Sequence, residues 1–150
     1  MNIYKICEYY GIQNYTINPD GSIDVNGNVW LFNKNLTKLP LKFNKVSCNF
    51  SCSDNKNNLT SLDGCPNYVG GNFYCSNNKL TSLYGCPNYV GGNFYCHNNE
   101  ITSLDGCPKE IGGNFHCYSN PLPQEIMDNP KAELLRLNRE NKLNILLDEY

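Results

Sequence analysis

Apolar and polar positions repeat with a fixed spacing through the middle of the chain. From Leu59 to Asn120 the sequence reads LTSLDGCPNYVGGNFYCSNNK, LTSLYGCPNYVGGNFYCHNNE and ITSLDGCPKEIGGNFHCYSN, and equivalent positions lie 21 residues apart. Phenylalanine returns in step at Phe73, Phe94 and Phe115. A repeat of roughly 20 to 30 residues is typical of a solenoid, in which each unit buries its apolar side against the next.

Two less regular units precede these three. Counting back 23 residues from Phe73 reaches Phe50, and a further 21 reaches Val29. Segments 29–40 and 48–62 therefore extend the array to five coils. The pattern predicts one strand per coil, paired in parallel on a concave sheet, near residues 28–32, 49–53, 72–76, 93–97 and 114–118.

Two features of the turns accompany this pattern. The second unit carries two extra residues near Lys56 and Asn57, which predict a bulged turn. A Gly-Gly pair precedes each later strand and predicts either a tight turn with positive φ or a close backbone approach. These pairs are Gly70-Gly71, Gly91-Gly92 and Gly112-Gly113.

The segment before the array has the pattern of a cap. Residues 2–10 place apolar side chains at helical spacing, and Gly11 ends that helix. Short strand-like runs follow, with hairpin signals at residues 18–21 (NPDG) and 26–27 (NG). We therefore assign residues 1–27 to an N-terminal helix and hairpin cap, which would shield the first coil from water.

After Leu122 the period stops, so the array spans residues 28–122 and a helical segment spans residues 123–150 of the same continuous domain. Asn129 is predicted as the N-cap of a helix with Pro130 at its first position. Two interpretations remain open: a cap over the last coil, or a helix that binds a partner or a second copy. Its apolar side, which must be buried somewhere, comprises Leu134, Leu135, Leu137, Leu143, Leu146 and Leu147.

Composition narrows the class of protein. The chain has 150 residues and a net charge of −2, so it lacks the electrostatic footprint of a nucleic-acid binder. The start of the sequence does not resemble a signal peptide, and no run approaches the ~18 apolar residues of a membrane span. We expect a cytoplasmic protein whose nine cysteines are reduced.

The unit resembles the leucine-rich repeat L-x-L-x-x-N-x-L over residues 28–122. Phe73 and Cys75 stand at the strand leucine positions, Asn78 at the asparagine and Leu80 at the next leucine. Cysteine in place of leucine, Lys34 in place of the first asparagine, and the Gly-Gly pairs depart from that pattern. The resemblance implies an α/β leucine-rich-repeat solenoid of five ~21-residue coils.

The tail L-T-S-L-x-G-C-P is similar to the short repeats of bacterial effector proteins. This likeness implies a bacterial, phage or large-virus source, and the cytoplasm of the host as the location if the source is viral. It also implies a stand-alone protein that acts by occupying a host or defence protein.

The residues that could carry chemistry follow the period of the repeat, which favours structural roles. Two cysteine columns are interpreted as small buried hydrophobes, with disulfides or a metal as the lesser alternative. The column of Asn55, Asn78, Asn99 and Asn120 is predicted to bond backbone groups inside the turns. No motif of a known enzyme class is present, so we predict a non-enzymatic protein without a cofactor or metal.

Function is sought on the outward side of the strands, where the units differ from one another. Aromatic, Asn and Ser side chains alternate there with almost no charge, a composition close to that of an antibody paratope. Stacking that only stabilises the sheet is the alternative. The candidate partner-binding residues are Trp30, Phe32, Tyr74, Ser76, Tyr95, His97, His116, Tyr118, Asn72, Asn93 and Asn114.

The sequence thus predicts a protein-binding module that inhibits its partner by steric blocking. Three other functions stay open: an assembly protein that self-associates through residues 129–150, a surface for glycans or another ligand, and an enzyme of unrecognised type. Nucleic acid is disfavoured as the ligand because few lysines or arginines lie near the candidate surface.

Overall fold

Each repeat folds into two short strands joined by corners, and successive repeats stack into a β-solenoid. The computed structural model describes residues 2–56 and 58–148. Its helices are α1 (Ile3–Tyr10), α2 (Gln124–Asp128) and α3 (Pro130–Asp148). Its strands are β1 (Tyr15–Ile17), β2 (Ile23–Val25), β3 (Val29–Trp30), β4 (Phe43–Val46), β5 (Phe50–Ser51), β6 (Tyr68–Val69), β7 (Phe73–Tyr74), β8 (Tyr89–Val90), β9 (Phe94–Tyr95), β10 (Glu110–Ile111) and β11 (Phe115–His116).

The strands form two sheets, one on each side of the core. Sheet B has the order β11-β9-β7-β5-β3, and every neighbouring pair is parallel. Phe50 pairs with Phe73, and Phe73 with Phe94, as the period requires. The predicted solenoid with five parallel strands is therefore confirmed.

Sheet A has the order β1-β2-β4-β6-β8-β10, and beyond the predicted hairpin of β1 and β2 it was not predicted. Its strands from β4 onward supply one buried aliphatic residue per coil in register: Val46, Val69, Val90 and Ile111. A single apolar residue in a two-residue strand leaves too short an alternation to be read from sequence. The Tyr-Val-Gly-Gly runs mark this second strand and the corner that follows it.

The core between the sheets is built from columns of identical side chains. The rings of Phe50, Phe73 and Phe94 stack at centroid distances of 5.6 and 5.2 Å. Cys52, Cys75, Cys96 and Cys117 form a second buried column, as predicted, and the repeat leucines fill the remaining space. Because each coil buries its apolar side only against its neighbours, the core is continuous along the solenoid.

The Gly-Gly pairs serve close approach rather than positive φ. A Cβ at Gly92 would collide with Asn72 Oδ1 and the Gly71 carbonyl, and Gly71 and Gly113 are equally crowded by the preceding coil. None of these pairs has positive φ, so the second of the two predicted explanations is the correct one. Positive φ occurs instead at the glycine before each Cys-Pro, with Gly85 at +85°.

A further column, at the end of each sheet B strand, lies in the left-handed region. Its members have φ between +54° and +57° and are Asn33, Asp54, Asn77, Asn98 and Ser119. Asparagine and aspartate tolerate this conformation better than most residues. In the predicted bulged turn, Lys56 also has a φ of +52°, whereas Asn57 lies outside the described residues.

The asparagine column inside the turns bonds the backbone, as predicted. Asn99 Nδ2 donates to the carbonyls of Cys75, Cys96 and His97 at 3.1, 3.0 and 3.3 Å. Its Oδ1 accepts from the N–H of Leu80 at 3.0 Å. Asn55, Asn78 and Asn120 make equivalent bonds. Each amide therefore ties two coils together where the strand ladder ends.

The N-terminal segment folds as the predicted helix and hairpin, with one difference. Asn2 caps α1, and Gly11 ends it at a φ of +68°. Strands β1 and β2 pair antiparallel, but β2 also pairs in parallel with β4. The first rung of sheet A thus lies inside the segment assigned to the cap. Asn26-Gly27 forms the corner from β2 to β3 instead of a hairpin turn.

The C-terminal helix begins where the sequence predicts. Asn129 Oδ1 accepts from the N–H of Ala132 at 3.3 Å, and Pro130 is the first residue of α3. Leu134 is buried, and Asn138 Nδ2 donates to the carbonyl of Lys109 at 2.6 Å, so the first half of α3 covers the last coil. The expected burial of the whole apolar side does not occur in the single chain, because Leu135, Leu143, Leu146 and Leu147 are exposed. None of the helices in the described ranges is both long and apolar enough to cross a membrane.

Candidate partner-binding surface

The outward side of sheet B carries the aromatic residues that the sequence singled out. Side chains alternate along each strand, so the buried Phe and Cys columns point inward and the residues between and after them point outward. We call the outward group the aromatic face: Trp30, Phe32, Tyr74, Tyr95, His97, His116 and Tyr118. All of them are exposed or half-buried.

Three rings of the aromatic face form one continuous stack. Tyr74 and Tyr95 lie 4.8 Å apart with an interplanar angle of 4°, and Tyr95 and His116 lie 4.6 Å apart, also at 4°. The parallel register produces this geometry because equivalent positions on neighbouring strands are ~4.8 Å apart. The three rings therefore lie parallel to one another along the outward side of sheet B.

A second, shorter stack lies beside the first. His97 stacks on Tyr118 at 4.5 Å, and the edge of His97 meets Tyr95 at 6.2 Å. Within the described residues, His97 Nδ1 is buried without a hydrogen-bond partner. Partial burial, reinforced by His116, lowers the pKa of His97, while Asp54 acts in the opposite direction. The lowered pKa favours the neutral form of the His97 ring.

The two ends of the face are the most exposed. Trp30 and Phe32 meet edge to face at 6.3 Å on the first rung and are 43% and 49% exposed. Tyr118, on the last rung, is 52% exposed. Large apolar rings left open to solvent on a rigid sheet are the type of residue that anchors protein interfaces.

Ser76 was predicted on the same surface but offers it little area. It is 5% exposed, and its hydroxyl lies 3.5 Å from that of Ser53. Ser51 and Ser53 are also buried and lie 3.4 Å apart through their hydroxyls. These buried serines lie between Trp30 and Tyr74, where their hydroxyls contact one another and leave little area for a partner.

The predicted contact residues Asn72, Asn93 and Asn114 are engaged within the chain. The N–H of each donates to the side-chain oxygen of the asparagine one rung earlier at 2.7 Å. Asn72 Nδ2 also donates to Tyr74 Oη, and Asn93 Nδ2 to Tyr95 Oη, both at 2.9 Å. Two of the three asparagines thus hold the tyrosine rings in position and are half-buried, whereas Asn114 is exposed.

Sequence reasoning missed a second aromatic stack on the opposite sheet. Tyr68 and Tyr89 on sheet A stack at 4.8 Å and 5°, and Lys45 Nζ lies 5.1 Å from the Tyr68 ring centre. Glu110 occupies the next rung of this column. The repeated Asn-Tyr-Val run carried the signal for it. This stack is flanked by charges of both signs, whereas the outward positions of the five sheet B strands carry no lysine, arginine, aspartate or glutamate.

Most of the cysteines occupy buried sites that suppress their chemistry, whereas Cys48 is exposed. Burial raises the pKa of Cys65, Cys75, Cys86 and Cys96 well above the ordinary thiol value, and raises the pKa of Cys107 to about 11. A protonated, buried thiol is a poor nucleophile and a poor metal ligand. Across residues 2–56 and 58–148, no group of three or more His, Cys, Asp or Glu side chains is arranged to hold a metal ion.

The fold defines the class as a parallel β-solenoid with two sheets, capped by helices. Comparison with known proteins finds no matching family model, no matching curated protein and no matching solved structure. The leucine-rich-repeat resemblance therefore remains a prediction from the sequence.

Proposed function

We propose that this chain is a non-enzymatic protein-binding module that uses the aromatic face. The observation that supports it most is the uncharged, pre-stacked array from Tyr74 to His116, with exposed rings at both ends. Stacked rings on a rigid sheet lose little conformational entropy when a partner binds. Protein interfaces favour Tyr and Trp at their centres and disfavour charge there.

The same stacking stabilises the sheet, and this role is compatible with binding. A cross-strand aromatic pair contributes ~0.2–1 kcal/mol, which accounts for Tyr74 and Tyr95. It does not account for Trp30 and Phe32, which face the serines of the next rung and leave nearly half of their area in water.

As the mode of action we propose steric blocking of the partner. The repeat resembles those of bacterial effector proteins, so a host or defence protein is the class of partner that this resemblance suggests. Such a partner would be bound in the cytoplasm, which is that of the host cell if the source is viral.

Affinity capture from host cell extract tests the proposal. The bait is the full chain, compared with a Trp30→Ala/Tyr74→Ala/Tyr95→Ala variant and with a Tyr68→Ala/Tyr89→Ala control. The control removes an aromatic stack of equal geometry from sheet A. We expect the partner to be lost with the first variant and kept with the second, provided that both unfold at comparable urea concentrations. A partner that survives the triple substitution would refute the proposal.

A second candidate function is assembly through α3. The exposed side chains of Leu143, Ile145, Leu146 and Leu147 favour it, because the single chain leaves these large apolar residues uncovered. Light scattering of the chain with and without residues 139–150 tests this candidate. A monomer in both cases removes it.

A further inference from the structure

The two sheets end differently at the first rung of the solenoid. In sheet A the outer edge of β2 is covered by β1, which pairs with it from Tyr15↔Val25 to Ile17↔Ile23. In sheet B the first strand is β3, and its only partner strand among the described residues is β5. Sheet B therefore ends at a strand edge that no other strand covers.

Every second residue along β3 and the segment after it donates its backbone N–H to the next rung of sheet B. The N–H groups of Val29, Leu31 and Asn33 donate to the carbonyls of the next rung at 2.9, 2.7 and 3.1 Å. Alternation along a strand points the N–H groups of Trp30 and Phe32 the opposite way, toward the uncovered edge. Phe32 lies just beyond β3, and its N–H makes no backbone–backbone hydrogen bond in the described part of the chain.

This edge lacks the features by which proteins usually protect edge strands. Residues 28–32 read NVWLF, without a charge or a proline, and Trp30 and Phe32 are exposed. The outer edge of sheet A, by contrast, is bounded by Asn14 with a φ of +52° and by Pro19. Proline, charge and local distortion are the common means of discouraging strand addition.

The opposite end of sheet B is not available to receive β3 of a second copy. Helix α3 packs there, with Leu134 buried and Asn138 bonded to the carbonyl of Lys109. Head-to-tail stacking of two solenoids would need that end open. This rules out head-to-tail stacking, and antiparallel pairing of two β3 edges is tested by the dimer measurement below. The uncharged run of residues 28–32 matches an uncharged segment of a different protein.

We infer that the β3 edge binds an extended, uncharged peptide segment of the partner as a sixth strand of sheet B. Its backbone would pair with the free N–H and C=O groups of Trp30 and the N–H of Phe32. Its side chains would contact the two exposed rings, so that the new strand continues the aromatic face. This inference rests on the proposed function and specifies how the partner is held.

The test uses short random peptides displayed on phage and selected against the immobilised full chain. Backbone amide exchange is then measured with and without a synthetic copy of the selected peptide. We expect the amides of Trp30 and Phe32 to exchange fast in the free protein and to become protected in the complex. A selection that yields no binder, or a binder that leaves both amides unprotected, would overturn the inference.

Two substitutions distinguish the contribution of the Trp30 backbone to peptide binding from that of its indole. Trp30→Pro removes the outward N–H and the indole, whereas Trp30→Ala removes only the indole. Proline at an edge, with its nitrogen facing away from the sheet, leaves the pairing with β5 intact. We expect Trp30→Pro to bind the peptide about tenfold more weakly than Trp30→Ala. Equal affinities would overturn strand addition.

The results also separate this inference from the proposed function. A captured partner that is lost with the triple alanine variant, yet binds Trp30→Pro and Trp30→Ala equally, keeps the aromatic face as the binding surface and removes the β3 edge. Protection of the Trp30 amide in a dimer of the free protein, detected by sedimentation velocity, would assign the edge to a second copy and overturn the inference.

Discussion

At the scale of single residues, asparagine has three structural tasks in this solenoid. One column, which includes Asn99, ties the turns of neighbouring coils. In a second column, which includes Asn93, the backbone N–H donates to the side-chain oxygen of the preceding rung, and the side-chain nitrogen donates to a tyrosine hydroxyl. A third, which includes Asn98, supplies left-handed backbone at the end of sheet B strands. The asparagines that recur with the repeat therefore have structural roles in the fold.

Replacing Asn99 by alanine tests the first of these tasks. The change leaves the N–H of Leu80 and up to three carbonyls without their partner in a buried turn. We expect a loss of about 2–4 kcal/mol in the free energy of unfolding, measured in urea. Asn88→Ala, at an exposed position, is the matched control and should change stability by less than about 0.5 kcal/mol. Equal losses would contradict the role of the column.

Much of the residue-level picture could be predicted from the sequence, because the repeat itself reports which positions the core requires. The inward Phe and Cys columns, the turn asparagines and the outward rings all followed from the period. The intramolecular bonds of Asn72 and Asn93 could not be predicted, because an outward asparagine can face a partner or its neighbour with the same spacing. Which of these it faces depends on the distance between rungs and on the position of the tyrosine hydroxyl.

At the scale of elements, capping signals were more informative than hydrophobic alternation. Gly11 predicted the end of α1, and Asn129 and Pro130 predicted the start of α3. Strands β6, β8 and β10 of sheet A were missed because two residues are too few for a period of two to show. Parallel register with the preceding coil, rather than local propensity, holds those strands.

Helix α3 packs on the last coil along only part of its surface, so its packed and exposed leucines should contribute differently to stability. Leu134 is 5% exposed and Leu135 is 62% exposed, although they are neighbours in the same helix. We expect Leu134→Ala to cost about 2–3 kcal/mol, because it leaves a cavity between the helix and the last coil. Leu135→Ala should cost less than about 0.5 kcal/mol in the monomer. Urea unfolding of both variants checks this, and equal values would show that α3 does not cap the array.

At the scale of the whole molecule, the coils share one core and one set of buried thiols. Cysteine stands where the resembling repeat has the larger leucine, and Cys52, Cys75, Cys96 and Cys117 are all buried in the core. The thiols recur in every coil from the second to the last, so a change in their protonation acts along the entire solenoid. The protonation of the buried thiols therefore affects the stability of every coil that contains one.

Alkaline pH should therefore destabilise the solenoid as a whole. Burial raises the pKa of Cys75 and Cys96 in the native state, whereas in the unfolded chain both titrate near pH 8.5. A raised native pKa gives a contribution to stability that is complete below the unfolded value and is lost as pH rises above it. Each of these thiols should remove about 1.4 kcal/mol per pH unit from the free energy of unfolding in that window. Urea unfolding at pH 7 to 10.5 measures the slope, with Cys75→Ala/Cys96→Ala as the comparison, since Lys and Tyr titrate equally in both proteins. The variant should be less stable at pH 7 but lose less as the pH rises; parallel slopes would show that thiol burial does not control the alkaline limit.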